Sequence, residues 1–192
     1  MTQPLKKDRT WLYVGLTFMA FWAAYLLFLN PRAGFDGLAA PQLTGSGRPL
    51  PADYSWKVED LNGKPVALGD YRGRPIVLNL WATWCGPCRQ EMPSLVSLAA
   101  MPSLKGVAFL CVTNEKPSAT VKSYAQANMQ GLTVLYGNGL PEVFATDGIP
   151  ATFVIAPDGS VASSEIGAAR WDDPTVVEFL EALLKKAAPP PS

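Results

Sequence analysis

Residues 76–100 constrain this chain more than any other stretch. Ile76–Trp81 is a continuous apolar run broken only by Asn79, as expected of a strand buried on both faces. It leads directly into Trp84-Cys85-Gly86-Pro87-Cys88, after which residues 86–100 can form a helix. Two cysteines three apart at a helix N-terminus lie within disulfide reach. The first places its sulfur near unpaired backbone N–H groups and the positive end of the helix dipole. A thiolate is favoured there, so Cys85 is expected to be the more acidic and more nucleophilic thiol. Cys88, one turn on, is expected to be less exposed and able to resolve a mixed disulfide from within the helix. Gly86 and Pro87 fix the spacing, and Pro87 lacks an N–H where one would go unpaired.

Composition removes most competing chemistries. The 192 residues include no histidine, which excludes Ser-His-Asp and Cys-His catalysis and histidine-ligated zinc within the chain. Three cysteines cannot build a four-thiolate zinc or iron–sulfur site. Sixteen basic residues balance sixteen acidic ones, so nothing points to a nucleic-acid partner. No cofactor and no metal are expected. Cys111 reads as a buried small hydrophobe.

Trp11–Leu29 is a run of nineteen residues without a charge. As a helix it would rise about 28 Å, close to the roughly 30 Å of a bilayer's hydrocarbon core. Lys6, Lys7 and Arg9 precede it, which puts the N-terminus in the cytoplasm and the rest across the membrane. A cleaved signal peptide is the rival reading, with a cut after Ala39; its apolar core is usually shorter. The expected organisation is therefore a cytoplasmic N-terminus over 1–10, a transmembrane signal anchor over 11–29, a proline- and glycine-rich linker over 30–51, a domain over 52–187 and a disordered tail over 188–192.

Within the domain, Tyr54–Glu59 and Val66–Leu68 flank Asn62-Gly63 as a hairpin. Val107–Val112 reads as a second buried strand, Pro117–Met129 as a helix with Pro117 in its first turn, and Thr133–Tyr136 as a short strand. Ala151–Ile155 and Val161–Ile166 pair across the turn Pro157-Asp158-Gly159-Ser160. Asp172 or Asp173 then caps a helix that runs to about Lys186. The expected class is α/β, a mixed sheet with helices on both faces.

Leu80–Cys88 resembles the active-site segment of the thioredoxin superfamily, and the likeness extends over nearly all of residues 52–192. Pro93 matches that family's helix-kinking proline. Gly148-Ile149-Pro150-Ala151-Thr152-Phe153 resembles the segment with its cis-proline, which implies that Ile149 and Pro150 bind substrate backbone. The anchor, the N-terminal hairpin, Arg89-Gln90-Glu91-Met92-Pro93 and Gly167-Ala168-Ala169-Arg170-Trp171 look like the membrane-anchored TlpA/ResA-like branch. The resemblance implies a thioredoxin fold with an N-terminal β-hairpin extension and a single transmembrane helix. It further implies a thiol–disulfide oxidoreductase facing the extracytoplasmic side of a bacterial inner membrane. Its partners would be a disulfide-bearing client of cytochrome c or copper-site assembly and a membrane thiol donor of the DsbD/CcdA type.

Trp84 and Glu91 are expected to shape the site. Asn79 stands where thioredoxin carries a buried aspartate and cannot accept a proton. Glu91, three residues after Cys88 on the same helical face, is expected to raise the thiols' pKa by like-charge coupling and to accept that proton. Its other reading is a solvated helix glutamate; a change to Gln is expected to cost less than about 1 kcal/mol. A Cu(I)-binding chaperone using Cys85 and Cys88 is the alternative from another class. A disulfide oxidase or isomerase would differ only in reduction potential.

Overall fold

Alternation along the apolar strands sets the layers of the domain. In the strand Ile76–Leu80 (β3), Ile76, Leu78 and Leu80 join one buried cluster and Val77 joins the other. Ala108–Thr113 (β4) divides the same way, with Leu110 and Val112 on one side and Phe109 and Cys111 on the other. Side chains two residues apart share a face of the sheet, so a wholly apolar strand needs cover on both sides. In this computed structural model, residues 10–24, 37–43 and 50–187 are described. The chain divides into two units, Met1–Asp36 and Gly37–Ser192.

In the first unit Thr10–Ala24 forms a helix (α1) of fifteen residues. Tyr13, Val14, Leu16, Phe18, Met19 and Phe21 on it are exposed. Among the described residues no helix is long and apolar enough to cross a membrane. Residues 25–29 of the expected span lie outside the described residues, as does the expected tail over 188–192.

The second unit holds a seven-stranded sheet. Lys57–Asp60 (β1) and Pro65–Ala67 (β2) form the N-terminal hairpin. Thr133–Gly137 (β5), Ala151–Ile155 (β6) and Val161–Ile166 (β7) complete the set. The order is β2-β1-β5-β4-β3-β6-β7. β3, β4 and β5 are parallel neighbours, and the other pairs are antiparallel. Gly86–Ala99 (α2) and Ala119–Asn128 (α3) are the crossovers, and Pro174–Leu184 (α4) follows the last strand. Ser118 caps α3 through a hydrogen bond from Val121 N–H, so Pro117 lies before that helix and not in its first turn. Asp173 caps α4, with its carboxylate accepting from Thr175 N–H.

The expectation of helices on both faces is corrected. The buried apolar residues of α2, α3 and α4 all pack in the cluster that holds Val77 and Trp81. Two successive right-handed crossovers that step the same way across a sheet put their helices on one face. The opposite face is covered by Ala52, Tyr54 and Trp56, by Leu68 of the 3₁₀ turn Leu68–Tyr71 and by Phe144 of the 3₁₀ turn Glu142–Phe144.

Part of the segment read from sequence as linker lies against the domain. Pro41 is buried and Leu43 packs on the helical-face core. Ala39 C=O accepts from Arg170 N–H at 2.8 Å, and Gln42 N–H donates to the Glu165 carboxylate at 2.9 Å. Pro51 bridges Ser160, beside the turn that joins β6 to β7. That turn needs Gly159, whose φ is +88° and whose added Cβ would sit 3.1 Å from Tyr54 Cε2. Gly159→Ala should cost about 1–2 kcal/mol. A urea-unfolding midpoint equal to the parent's would show that the turn relaxes freely.

Candidate active site

The site lies at the C-terminal end of β3. Trp81 N–H donates to Val112 C=O at 3.1 Å, which extends the β3–β4 pairing by one residue, and Cys85 N–H turns back to Ala82 C=O at 3.1 Å. Between them, Thr83 N–H and Oγ1 both bond the Glu115 carboxylate, at 2.6 and 2.8 Å. Thr113 Oγ1 reaches the same carboxylate at 3.3 Å. Glu115 therefore ties down the loop that presents the first cysteine. Sequence reading missed it, because it sits thirty residues beyond Cys85 and only the parallel pairing of β3 with β4 brings the two loops together.

Cys85 is the residue that caps α2. Its sulfur accepts the N–H of Cys88 at 3.1 Å and is bonded to Cys88 Sγ in a disulfide. Cys85 retains 5% exposure and Cys88 none, so a partner can approach only the first sulfur without moving the helix. Gly86 and Pro87 are exposed at the start of α2. Trp84 stands out beside them at 69% exposure, whereas Trp81 is buried and stacked on Tyr124 with ring centroids 5.5 Å apart. Pro93 lies inside α2.

The Ile149–Pro150 peptide is cis. The Ile149 carbonyl oxygen is 3.6 Å from Cys85 Sγ. Trp84 and Ile149 line a cavity of about 460 Å³ together with Trp56, Leu140 and Asp147.

Glu91 is fully buried beneath this surface. Its Oε1 accepts from Asn79 Nδ2 at 2.8 Å. Its Oε2 accepts from Ala169 N–H at 3.1 Å and Trp171 Nε1 at 3.0 Å. Asn79 Nδ2 also donates to Thr152 Oγ1 at 2.8 Å. Cys111 is a free, buried thiol opposite Asn79 in the β3–β4 pairing. Its pKa is pushed up by burial and then by the charge of Glu91.

Residues 47–164 match the AhpC/TSA family. A relative named thiol-disulfide oxidoreductase ResA, from Bacillus thuringiensis (strain Al Hakam), is 32% identical over 89% of this chain and 97% of its own length. The chain belongs to the AhpC/TSA family. It is a thioredoxin-like thiol-disulfide oxidoreductase. Solved structures agree: a putative thiol-disulfide oxidoreductase from Bacteroides vulgatus superposes with a TM-score of 0.59 at 28% identity, over 70% of this chain and 97% of that one. A putative thiol:disulfide interchange protein DsbE from Chlorobium tepidum gives 0.56 at 25% identity, over 71% and 96%.

For this oxidoreductase the reading of Glu91 as a solvated helix residue is corrected. A period of 3.6 places it with Cys88, and that face is turned into the core. Its carboxyl is raised to about 7, first because burial removes water, against the lowering effect of the bonds from Trp171, Ala169 and Asn79; the Glu165 charge adds a smaller upward push. The small cost expected of Glu91→Gln also falls, since the carboxylate meets donors alone and an amide NH₂ would oppose one of them.

Proposed function

We propose that this chain is an extracytoplasmic disulfide reductase, tethered through residues 11–29 and acting through Cys85 and Cys88. The observation that carries the reading is the cap of α2. Cys85 Sγ sits at the helix N-terminus with the Cys88 N–H aimed at it, an arrangement that holds negative charge on sulfur. In the reduced enzyme Cys85 thiolate attacks one sulfur of a partner disulfide and expels the other as a thiolate. Cys88 then attacks Cys85, and the second partner sulfur leaves. Two electrons pass to the partner, whose cystine becomes two thiols, while Cys85 and Cys88 become the disulfide.

Cys88 must lose a proton for its attack. Glu91 supports the reading as the acceptor: it follows Cys88 by three residues on α2, it is buried, and its carboxyl, raised to about 7, can exchange a proton at neutral pH. The Ile149 carbonyl lies 3.6 Å from Cys85 Sγ, ahead of the cis Pro150; an extended partner segment can align its backbone there, and Trp84 forms the exposed rim. The reducing direction rests on the Gly-Pro dipeptide and on the ResA-like relatives. Clients of cytochrome c or copper-site assembly and a DsbD/CcdA-type donor follow from that kinship. The organisation is a signal anchor, a short linker, and a domain whose fold begins with the segment at Gly37.

A membrane-impermeant maleimide added to intact, pre-reduced cells tests side and order together. Cys85 should label first at neutral pH, with Cys88 and Cys111 much slower. Labelling only after lysis would overturn the topology, and equal rates at Cys85 and Cys88 would overturn the assignment of roles.

A further inference from the structure

The loop Gly167–Trp171, between β7 and α4, bonds both the cis-proline segment and the buried acid of the site. Gly167 N–H donates to the carbonyl of Pro150 at 2.9 Å. Ala169 N–H and Trp171 Nε1 donate to Glu91 Oε2, and Trp171 N–H donates to Ser94 Oγ at 3.0 Å. Residues 167, 169 and 171 thus bond inward. The intervening residue bonds the other way: Arg170 N–H donates to Ala39 C=O. The loop is one chain thick, with the buried acid on one side and the segment 37–43 on the other.

That segment is held at several points. Pro41 is buried, Leu43 packs on the cluster that contains Cys85, Cys88 and Trp171, and Gln42 N–H caps the carboxylate of Glu165. We propose that residues 37–43 are a positioning element of the redox centre. By binding Arg170 and Glu165 from outside, they press loop 167–171 over Glu91 and exclude water from the acid of the dithiol. The segment leading to the anchor thereby sets the environment of a group that it never touches. The proposal rests on the reading of Glu91 as the dithiol's acid only for its effect on the thiols.

The groups around Glu91 are consistent with control by solvent exclusion. β7 contributes Glu165, and β4 contributes Cys111. Its own helix begins with the Cys85–Cys88 pair, while β3 and β6 present the neutral Asn79 and Thr152. Arg170 in the covering loop is paired with Asp173. The hydrogen bonds to the carboxyl come from neutral donors. Those donors, the exclusion of water and the smaller push of the Glu165 charge set its titration, and the exclusion of water is what the segment controls.

The test uses the full chain in detergent micelles and two variants. Gln42→Pro removes the N–H that binds Glu165, and Pro41→Gly removes the buried ring without altering charge or the loop. Amide exchange at Arg170 reports docking, and the side-chain ¹³C signal of Glu91 in the oxidised protein reports its titration. Both variants should exchange Arg170 at least about tenfold faster and move the Glu91 midpoint down by about one pH unit, toward an ordinary carboxylate. Faster exchange with an unmoved Glu91 midpoint would overturn the proposal. So would an Arg170 amide that stays protected in both variants, because the contacts named would not be what holds the segment. If the Glu91 midpoint moves and the thiol titration of the reduced variants does not, the positioning role stands and the coupling of Glu91 to the thiols is what fails.

Discussion

Cys88→Ser is expected to hold its client as a stable mixed disulfide in native membranes. The first step is untouched, because Cys85 keeps its place as the cap of α2. The second step needs a sulfur at position 88, and serine cannot expel a thiolate from a disulfide. The covalent complex should therefore survive non-reducing electrophoresis and be released by dithiothreitol. Cys85→Ser should trap nothing and should lower client reduction by about a thousandfold or more, the order that loss of a covalent nucleophile costs an enzyme. Cys111→Ser should retain most of the activity, since that thiol is buried within the sheet and its pKa is raised. Capture by Cys85→Ser instead of Cys88→Ser would reverse the two roles. Mass spectrometry of the trapped species would name the client.

The oxidised domain should lose stability as pH rises from about 4.5 to about 7. Glu91 has its carboxyl raised to about 7 in the fold against an ordinary value of 4.5. A folded pKa above the unfolded one means that the native state binds the proton more tightly. The stabilisation is therefore complete below the unfolded pKa and is lost as pH climbs through the folded one. With Glu91 fully buried, that difference corresponds to a loss on the order of 3 kcal/mol across the window. Above it the curve should flatten. Glu91→Gln should remove this slope, because an amide does not titrate. Urea-unfolding curves at pH 4.5, 6 and 8 check the point. Parallel pH dependences in parent and variant would mean that water reaches the carboxyl. On the role proposed for Glu91, the same substitution should lower the Cys85 pKa and slow client reduction, because the variant would lack the carboxylate that is to raise the thiols' pKa and accept their proton.

Local patterns account for what is legible in the chain itself. The apolar run at Ile76–Trp81, broken only by Asn79, the hairpin signal at Pro157–Ser160 and the capping aspartate ahead of Pro174 each report interactions within a few residues. They correspond to β3, the β6–β7 turn and the cap of α4. The Cys-Gly-Pro-Cys segment is of the same kind, since a strand end and a helix start suffice to place both sulfurs. Together with the resemblance those residues carry, these short-range signals are enough to indicate the thioredoxin-like class.

Contacts between distant segments were decided by the tertiary fold alone. Which face the helices take depends on how the crossovers step across the sheet, so the one-sided layering could not be read from periodicity. Glu91 was legible as a group on the helical face of Cys88, but its burial was not, and burial raises its carboxyl to about 7. Its partners come from β3 and from a loop 78 and 80 residues away. Glu115 had no local signal, because its role depends on the parallel register of β3 and β4. The segment 37–43 has the composition of a tether, yet it is docked by backbone groups that any sequence carries. Side-chain pattern records the local chemistry of strands, turns and caps; it holds no record of which carbonyl a distant N–H will find, and those bonds place the acid beneath the two cysteines.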